Sequence, residues 1–129
     1  MNYLLDGVPV LEVVLENPFV PKRFPVEGAV LAVFDTGYEG FALVPEGVFR
    51  ELCLHEMELH ARELILPDGS IARSSGTFGK VKILEPGISC DGFIETTKDV
   101  DEIVLGIDFA KGLKFILDYC LKRFEVRQC

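Results

Sequence analysis

Several features that mark large protein classes are missing from this sequence. No apolar run approaches the length of a membrane span, and the longest apolar stretch, residues 29–34, is ended by Asp35. The N-terminal residues carry no basic segment, so we expect no secretory signal and a cytoplasmic location. Basic residues are few, 13 against 21 acidic ones, and the formal net charge is −8. Because nucleic-acid binding needs clustered Lys and Arg, we expect neither nucleic acid nor a membrane as a partner.

The four cysteines form no metal-binding pattern. Cys53, Cys90, Cys120 and Cys129 are widely spaced and include no Cys-x-x-Cys pair. We therefore expect no metal and no cofactor, and reduced thiols in a cytosol. Cys120 and Cys129 flank a predicted hairpin and could form a disulfide, an alternative that the sequence leaves open.

Other catalytic patterns are incomplete or missing. His55 and His60 are five residues apart, whereas the His-Glu-x-x-His motif of zinc proteases places its histidines four apart so that both face one metal. We interpret these two histidines as surface or edge residues. No serine lies in a Gly-x-Ser-x-Gly elbow, and no glycine-rich phosphate loop occurs.

Short apolar segments separated by glycine turns make up most of the chain. At 129 residues we expect a single domain, residues 1–129, and the 49% hydrophobic content favours an interface between subunits. The pattern predicts a mainly β, closed barrel with one or two short helices. The main predicted elements are a hairpin about Asp6-Gly7, a helix over Pro45–Leu52, strands Glu58–Leu66, Ser70–Leu84 (with a bulge or bend at Ser74–Gly76) and Ile88–Thr96, a helical turn near Ile107–Lys111, and a final hairpin of Leu113–Tyr119 and Lys122–Val126.

The segment Phe34-Asp35-Thr36-Gly37 places an aspartate at the end of an apolar run. An ionised carboxylate beside such a run needs hydrogen bonds or a partner to compensate its desolvation. Thr36 supplies a hydroxyl and an N–H group nearby, and Gly37 allows a tight turn around the carboxylate. The same three residue types also occur in ordinary turns. The tripeptide alone is therefore suggestive, and its surroundings decide how it is interpreted.

Three sequence blocks resemble the retropepsin-like aspartic proteases, in particular their small archaeal and bacterial members. Those chains read hydrophobic-hydrophobic-Asp-Thr-Gly-aromatic-x-Gly-x-Leu-x-Leu-Pro, and this chain reads Val33-Phe34-Asp35-Thr36-Gly37-Tyr38-Glu39-Gly40-Phe41-Ala42-Leu43-Val44-Pro45. A second block, Leu64 to Ser70, looks like the family's flap hairpin. A third, Ile103 to Phe109 followed by Leu113 to Tyr119, looks like its hydrophobic-hydrophobic-Gly segment and closing strand. The blocks occur in the family's order.

The resemblance implies a single-lobed acid-protease barrel and a role for each matching residue. Asp35 is the implied catalytic residue, and Thr36 and Gly37 form the implied active-site loop. The residues expected to contact substrate are Tyr38 beside that loop and Pro67, Asp68, Gly69 and Ser70 at the flap tip. Val104, Leu105 and Gly106 are expected to pack beneath the loop, with Gly106 permitting a close crossing of two chain segments. Viral members usually carry Ala at the position of Tyr38, so a bulky side chain there would reshape the substrate cleft.

The implied chemistry needs two carboxylates, and the chain supplies one. Aspartic proteases activate water with two carboxyl groups that share one proton. No second Asp-Thr-Gly or Asp-Ser-Gly is present; Asp68-Gly69 and Asp91-Gly92 are interpreted as turns. A protease of this type must therefore be a C2 homodimer in which Asp35 of each subunit meets the other on the symmetry axis. We expect an aspartic endopeptidase acting on peptides or unfolded protein segments.

Two alternatives stay open at this point. The chain could be a dimeric peptide-binding or scaffolding domain that keeps the fold without hydrolysis, since a fold does not guarantee its chemistry. It could also process one dedicated protein and leave generic peptides uncleaved.

Overall fold

The computed structural model describes residues 2–66 and 68–129, which form eleven strands, two α-helices and one 3₁₀ turn. The strands are β1 (Tyr3–Leu5), β2 (Val8–Asn17), β3 (Lys22–Phe24), β4 (Val30–Phe34), β5 (Ala42–Val44), β6 (His60–Ile65), β7 (Ile71–Ile83), β8 (Ile88–Thr96), β9 (Ile103–Leu105), β10 (Leu113–Asp118) and β11 (Arg123–Gln128). The helices are α1 (Glu46–Glu51) and α2 (Ile107–Ala110), and the 3₁₀ turn covers Leu54–Glu56.

The strands form one sheet in the order β10-β11-β1-β2-β4-β9-β5-β8-β7-β6, with β3 added beside β2. The prediction of a mainly β domain with short helices is confirmed, but the prediction of a closed barrel is wrong. In the described part of the chain the sheet has two end strands, β10 in the C-terminal hairpin and β6, and these do not pair with each other. A further pairing of β2 with β7 folds the sheet back on itself.

The long strand β2 organises this arrangement. Its first half pairs with β1 and β4, and its second half pairs with β3 and β7. With neighbours on both edges, β2 is buried along most of its length, including Leu11, Val13 and Leu15. These side chains form one core with residues of β5, β7, β8, β9 and both helices. Residues 2–66 and 68–129 contain no helix that is long and apolar enough to span a membrane.

The local sequence patterns predicted most elements correctly. The first hairpin turns at Asp6-Gly7, both residues having positive φ, and the C-terminal hairpin, α2 and β8 lie where they were expected. Helix α1 begins one residue after Pro45, which is its N-cap. Two elements were missed, namely β3 within the proline-containing crossing and the 3₁₀ turn.

One interpretation of local sequence is wrong, and for another the structure removes one of two alternatives. Asp91-Gly92 is not a turn, because it lies inside β8, where the ring of Phe41 occupies the space that a side chain on Gly92 would fill. The Ser74–Gly76 cluster contains no bulge, since each residue of β7 there faces a single residue of its partner strand; the pairing with β6 ends at Gly76 and the pairing with β8 begins at Ser75.

Candidate active site

The Asp-Thr-Gly segment lies in the loop between β4 and β5, where β9 inserts between these two strands. β9 pairs in parallel with β4 and antiparallel with β5. Backbone hydrogen bonds hold the loop to the end of β9, Asp35 N–H to Leu105 O at 3.0 Å, and to the start of α2, Ile107 N–H to Tyr38 O at 2.9 Å. The candidate catalytic loop is therefore held by a strand that is distant in sequence.

The Asp35 carboxylate is exposed and is held by its own loop. The N–H group of Gly37 donates to Asp35 Oδ1 at 2.7 Å, and the N–H group of Tyr38 donates to Asp35 O at 3.1 Å. Thr36 is exposed, and within residues 2–66 and 68–129 its hydroxyl makes no hydrogen bond. The carboxylate is thus fixed in direction and open to solvent, a geometry that leaves it free to act on a bound molecule.

The segment expected beneath the loop lies there. Val104 pairs with Val33 of β4 and Leu43 of β5, and Leu105 is fully buried. Gly106 crosses the loop so closely that a side chain there would collide with the carbonyl oxygens of Tyr38 and Gly40. Both obstacles are backbone atoms, which cannot rotate away.

We expect Gly106→Ala to destabilise the protein by about 1–3 kcal/mol, the usual cost of forcing extra atoms into a packed site. Gly47→Ala is the matched control, because a Cβ on this α1 residue meets no atom within 4 Å. The control should be neutral or stabilising, since alanine favours helix more than glycine does. Urea denaturation of both variants measures the difference, and equal stabilities would show that the crossing tolerates a methyl group.

The turn between β6 and β7 carries the predicted flap residues. Asp68 Oδ1 accepts hydrogen bonds from Ser70 N–H at 2.9 Å and from the Ser70 hydroxyl at 2.6 Å, and Gly69 has φ +85°. The Ser70 hydroxyl, followed by its N–H group, lowers the pKa of the Asp68 carboxyl. Pro67 lies outside the described residues. Next to the turn, Ile65 and Ile71 face each other across the hairpin and are 81% and 65% exposed.

Tyr38 makes a contact that the sequence did not reveal. Its hydroxyl donates to the carboxylate of Glu95 on β8, and Glu95 has no exposed surface. Burial, together with the hydrogen bond to the carboxylate, raises the pKa of Tyr38 well above its usual value. The polar end of this side chain therefore points into the protein.

Two more side chains complete the surroundings of Glu95. The Arg62 guanidinium donates from Nε to Oε1 at 2.8 Å and from Nη2 to Oε2 at 2.7 Å, and the Ser74 hydroxyl donates to Oε1. The hydrogen bond to Glu95 raises the pKa of Arg62. We call these four residues, Tyr38, Arg62, Ser74 and Glu95, the Glu95 cluster.

Gly40 leaves room for this cluster. A side chain on Gly40 would collide with the Tyr38 hydroxyl and with Arg62 Nη2. Sequence reasoning missed Glu95, Arg62 and Ser74 as members of a site. The only local signal was one acidic residue in the apolar half of β8, and a charged residue in a strand is usually a solvated one.

The clefts on the described surface include two whose lining residues do not include Asp35. The larger, of about 570 Å³, lies between α1 and the β6–β7 hairpin, with Phe49, Leu66 and Ala72 among its lining residues. The smaller, of about 290 Å³, is lined by Gly40, Arg62, Phe93 and neighbouring residues. The candidate catalytic carboxylate of a single chain therefore stands on an open surface.

The remaining candidate ligands are scattered. No group of three or more His, Cys, Asp or Glu side chains in the described part of the chain could hold a metal ion. All four cysteines are free, so Cys120 and Cys129 do not form the disulfide that the sequence left open. His60 is exposed at the start of β6, and His55 is half-buried in the 3₁₀ turn.

The fold and the site together define a mainly β protein with an exposed Asp-Thr-Gly loop beside a buried ionic cluster. No family model matches the chain. The chain is 49% identical to an uncharacterized protein of Archaeoglobus fulgidus over 125 residues, which cover 97% of this chain and 98% of that protein. It belongs to the same family as that archaeal protein.

Proposed function

We propose that this protein is a retropepsin-like aspartic endopeptidase. The observation that carries the proposal is the geometry of the Asp-Thr-Gly loop, in which the Asp35 carboxylate accepts a hydrogen bond from Gly37 N–H and stays exposed to a reactant. One carboxylate of a pair takes a proton from water while the other, protonated, polarises the scissile carbonyl. The substrate is an extended peptide or an unfolded protein segment, held by main-chain hydrogen bonds as an added strand.

The second carboxylate comes from a second copy of the chain. One subunit has a single Asp-Thr-Gly, and its Asp35 lines neither described cleft. Two subunits related by a two-fold axis beside Asp35 would bring their Asp35 carboxylates together. The surfaces around the two carboxylates would then form a cleft between the subunits. The Thr36 hydroxyl, which makes no hydrogen bond to the described residues, lies at the same place and would gain a partner across that axis.

An exposed apolar surface beside the loop supports this homodimer. We call it the hairpin surface; its residues are 41–59% exposed and comprise Leu5, Val8, Leu117, Tyr119 and Leu121. Val33 pairs with Val10, so the chain leaving β4 toward Asp35 runs beside the start of β2. Phe34 also packs on Phe115 of β10, with ring centroids 4.5 Å apart. Burial of this apolar surface between two subunits would favour their association.

The flap assignment rests on the exposed tip of the β6–β7 hairpin. Ile65 and Ile71 offer apolar contacts to a bound peptide, and closure of such a flap excludes water from the reaction. The four free thiols fit the reducing cytosol in which we expect the enzyme to act.

The test is cleavage of a diverse peptide library by the wild-type protein and by Asp35→Asn, from about pH 3.5 to 7.5. We expect cleavage by the wild type alone, strongest at the pH where the pair of carboxylates holds one proton. Equal cleavage by both proteins would overturn the role of Asp35. If neither protein cleaves peptides or unfolded proteins, the result would favour the peptide-binding alternative. Binding of the same library without hydrolysis would then establish that alternative.

Mixing subunits tests the shared active site. When a tenfold excess of Asp35→Asn chain is incubated with wild-type chain until subunits exchange, we expect the wild-type activity to fall about elevenfold, since about one wild-type subunit in eleven then meets another. The control adds the same excess immediately before the assay, which leaves existing dimers intact. Unchanged activity after full exchange would show that each chain acts alone.

A further inference from the structure

Glu95 is the most deeply buried charged group among the described residues, and the proposed reaction does not use it. It is fully buried, whereas an isolated carboxylate in such a place would be strongly unfavourable. Three side chains from three separate segments converge on it: Tyr38 from the loop after β4, Arg62 from β6 and Ser74 from β7. Burying an ion pair contributes little net stability by itself, so a cluster of this kind calls for another reason.

One member of the cluster belongs to the candidate catalytic loop. Tyr38 immediately follows Gly37, whose N–H group holds Asp35 Oδ1, and the N–H group of Tyr38 itself donates to Asp35 O. Moving the Tyr38 backbone would therefore change the hydrogen bond that holds the Asp35 carboxylate and the one that holds the Asp35 backbone carbonyl. The phenol is the only side chain of residues 35–38 that is bonded to another strand of the sheet in the described part of the chain.

We infer that Glu95 and Tyr38 are positioning residues that set the orientation of the Asp35 carboxylate. Glu95 is placed by Arg62, whose guanidinium reaches both of its oxygens. The Tyr38 hydroxyl then fixes the loop on Glu95, and Gly37 transmits that position to Asp35. Tyr38 accordingly acts through the loop and does not contact substrate with its hydroxyl. The kinetic consequence of this role rests on the proposed endopeptidase activity, but the structural consequence does not.

The chain offers a matched pair of hydroxyl deletions. Tyr38→Phe removes the hydroxyl that donates to Glu95 Oε2, and this oxygen keeps its hydrogen bond from Arg62 Nη2 at 2.7 Å. Ser74→Ala removes the hydroxyl that donates to Glu95 Oε1, and this oxygen keeps its hydrogen bond from Arg62 Nε at 2.8 Å. Both variants remove one uncharged hydroxyl donor from the same carboxylate, so a purely structural role of the cluster predicts similar effects. Only Tyr38 is attached to the catalytic loop.

The first measurement is amide hydrogen exchange of Gly37 and Tyr38, which needs no enzymatic activity. We expect exchange at these two amides to be at least about tenfold faster in Tyr38→Phe than in wild type, because the loop opens locally, and unchanged in Ser74→Ala. Equal exchange in wild type and Tyr38→Phe would overturn the inference. Equal acceleration in both variants would do so as well, since it would show general loosening.

The second measurement is the split between kcat and KM on a cleaved peptide. We expect Tyr38→Phe to lower kcat about 10- to 100-fold, the cost of a small misplacement of a reacting group, with KM within about twofold of wild type. Ser74→Ala should keep the wild-type kcat. If the wild type cleaves the peptide and Tyr38→Phe has the same kcat, the inference is overturned and the proposed function is unaffected. If the wild type does not cleave, the proposed function fails, and the exchange rates alone decide whether Tyr38 holds the loop.

Discussion

Asp35→Asn is expected to lower kcat for peptide hydrolysis by about 10²–10⁴-fold, the range that general acid–base catalysis contributes. Asparagine has nearly the same shape and its side-chain oxygen can still accept the hydrogen bond from Gly37 N–H, so the loop should keep its conformation. What is lost is a group that can exchange a proton with water. In the proposed homodimer the substitution removes both members of the proposed catalytic pair at once.

The matched control is Asp91→Asn, the same substitution at an exposed aspartate of β8. Activity assays at several pH values, with circular dichroism and thermal unfolding of both variants, separate lost chemistry from lost structure. We expect the two variants to unfold at similar temperatures and only Asp35→Asn to lose activity. Retained hydrolysis in Asp35→Asn would mean that the proposed pair does not perform the reaction.

Arg62→Met is expected to cause the largest loss of stability of any substitution considered. Removing one partner of a buried ion pair leaves the other charge uncompensated, at a cost of about 3–5 kcal/mol. The Arg62 side chain is 39% exposed while that of Glu95 is fully buried, so water reaches the guanidinium but not the carboxylate. Because of this partial exposure we expect the lower end, about 3 kcal/mol, and a fall in Tm of about 10 °C.

Arg127→Met is the matched control, because Arg127 also bonds a glutamate, Glu125, at 2.8 Å, but both side chains are about half exposed. Exposed pairs of this kind contribute about 0–1 kcal/mol.

The double variant Arg62→Met with Glu95→Gln should regain part of the stability, since it no longer buries a charge. Denaturant unfolding of the four proteins measures these differences. A loss in Arg62→Met no larger than in Arg127→Met would show that Glu95 does not depend on Arg62.

The sequence by itself determined the features that short-range interactions control. Asp6-Gly7 determines the first hairpin turn because both residues adopt positive φ there. Pro45 marks the start of α1, and alternation of apolar residues indicates most strands. The hydrogen bond from Gly37 N–H to Asp35 joins residues two positions apart, so the Asp-Thr-Gly motif alone predicts a held carboxylate.

Only the tertiary structure decided which distant segments meet. Strand β9 lies between β4 and β5, and in the described part of the chain the last hairpin pairs with β1 and not with the other end strand, β6. Asp91-Gly92 has turn composition, yet packing of Phe41 against Gly92 keeps it in a strand. The Glu95 cluster joins residues 33 and 57 positions apart. Local sequence does not encode such contacts, because burial of a carboxylate becomes favourable only after folding has brought Arg62, Tyr38 and Ser74 around it.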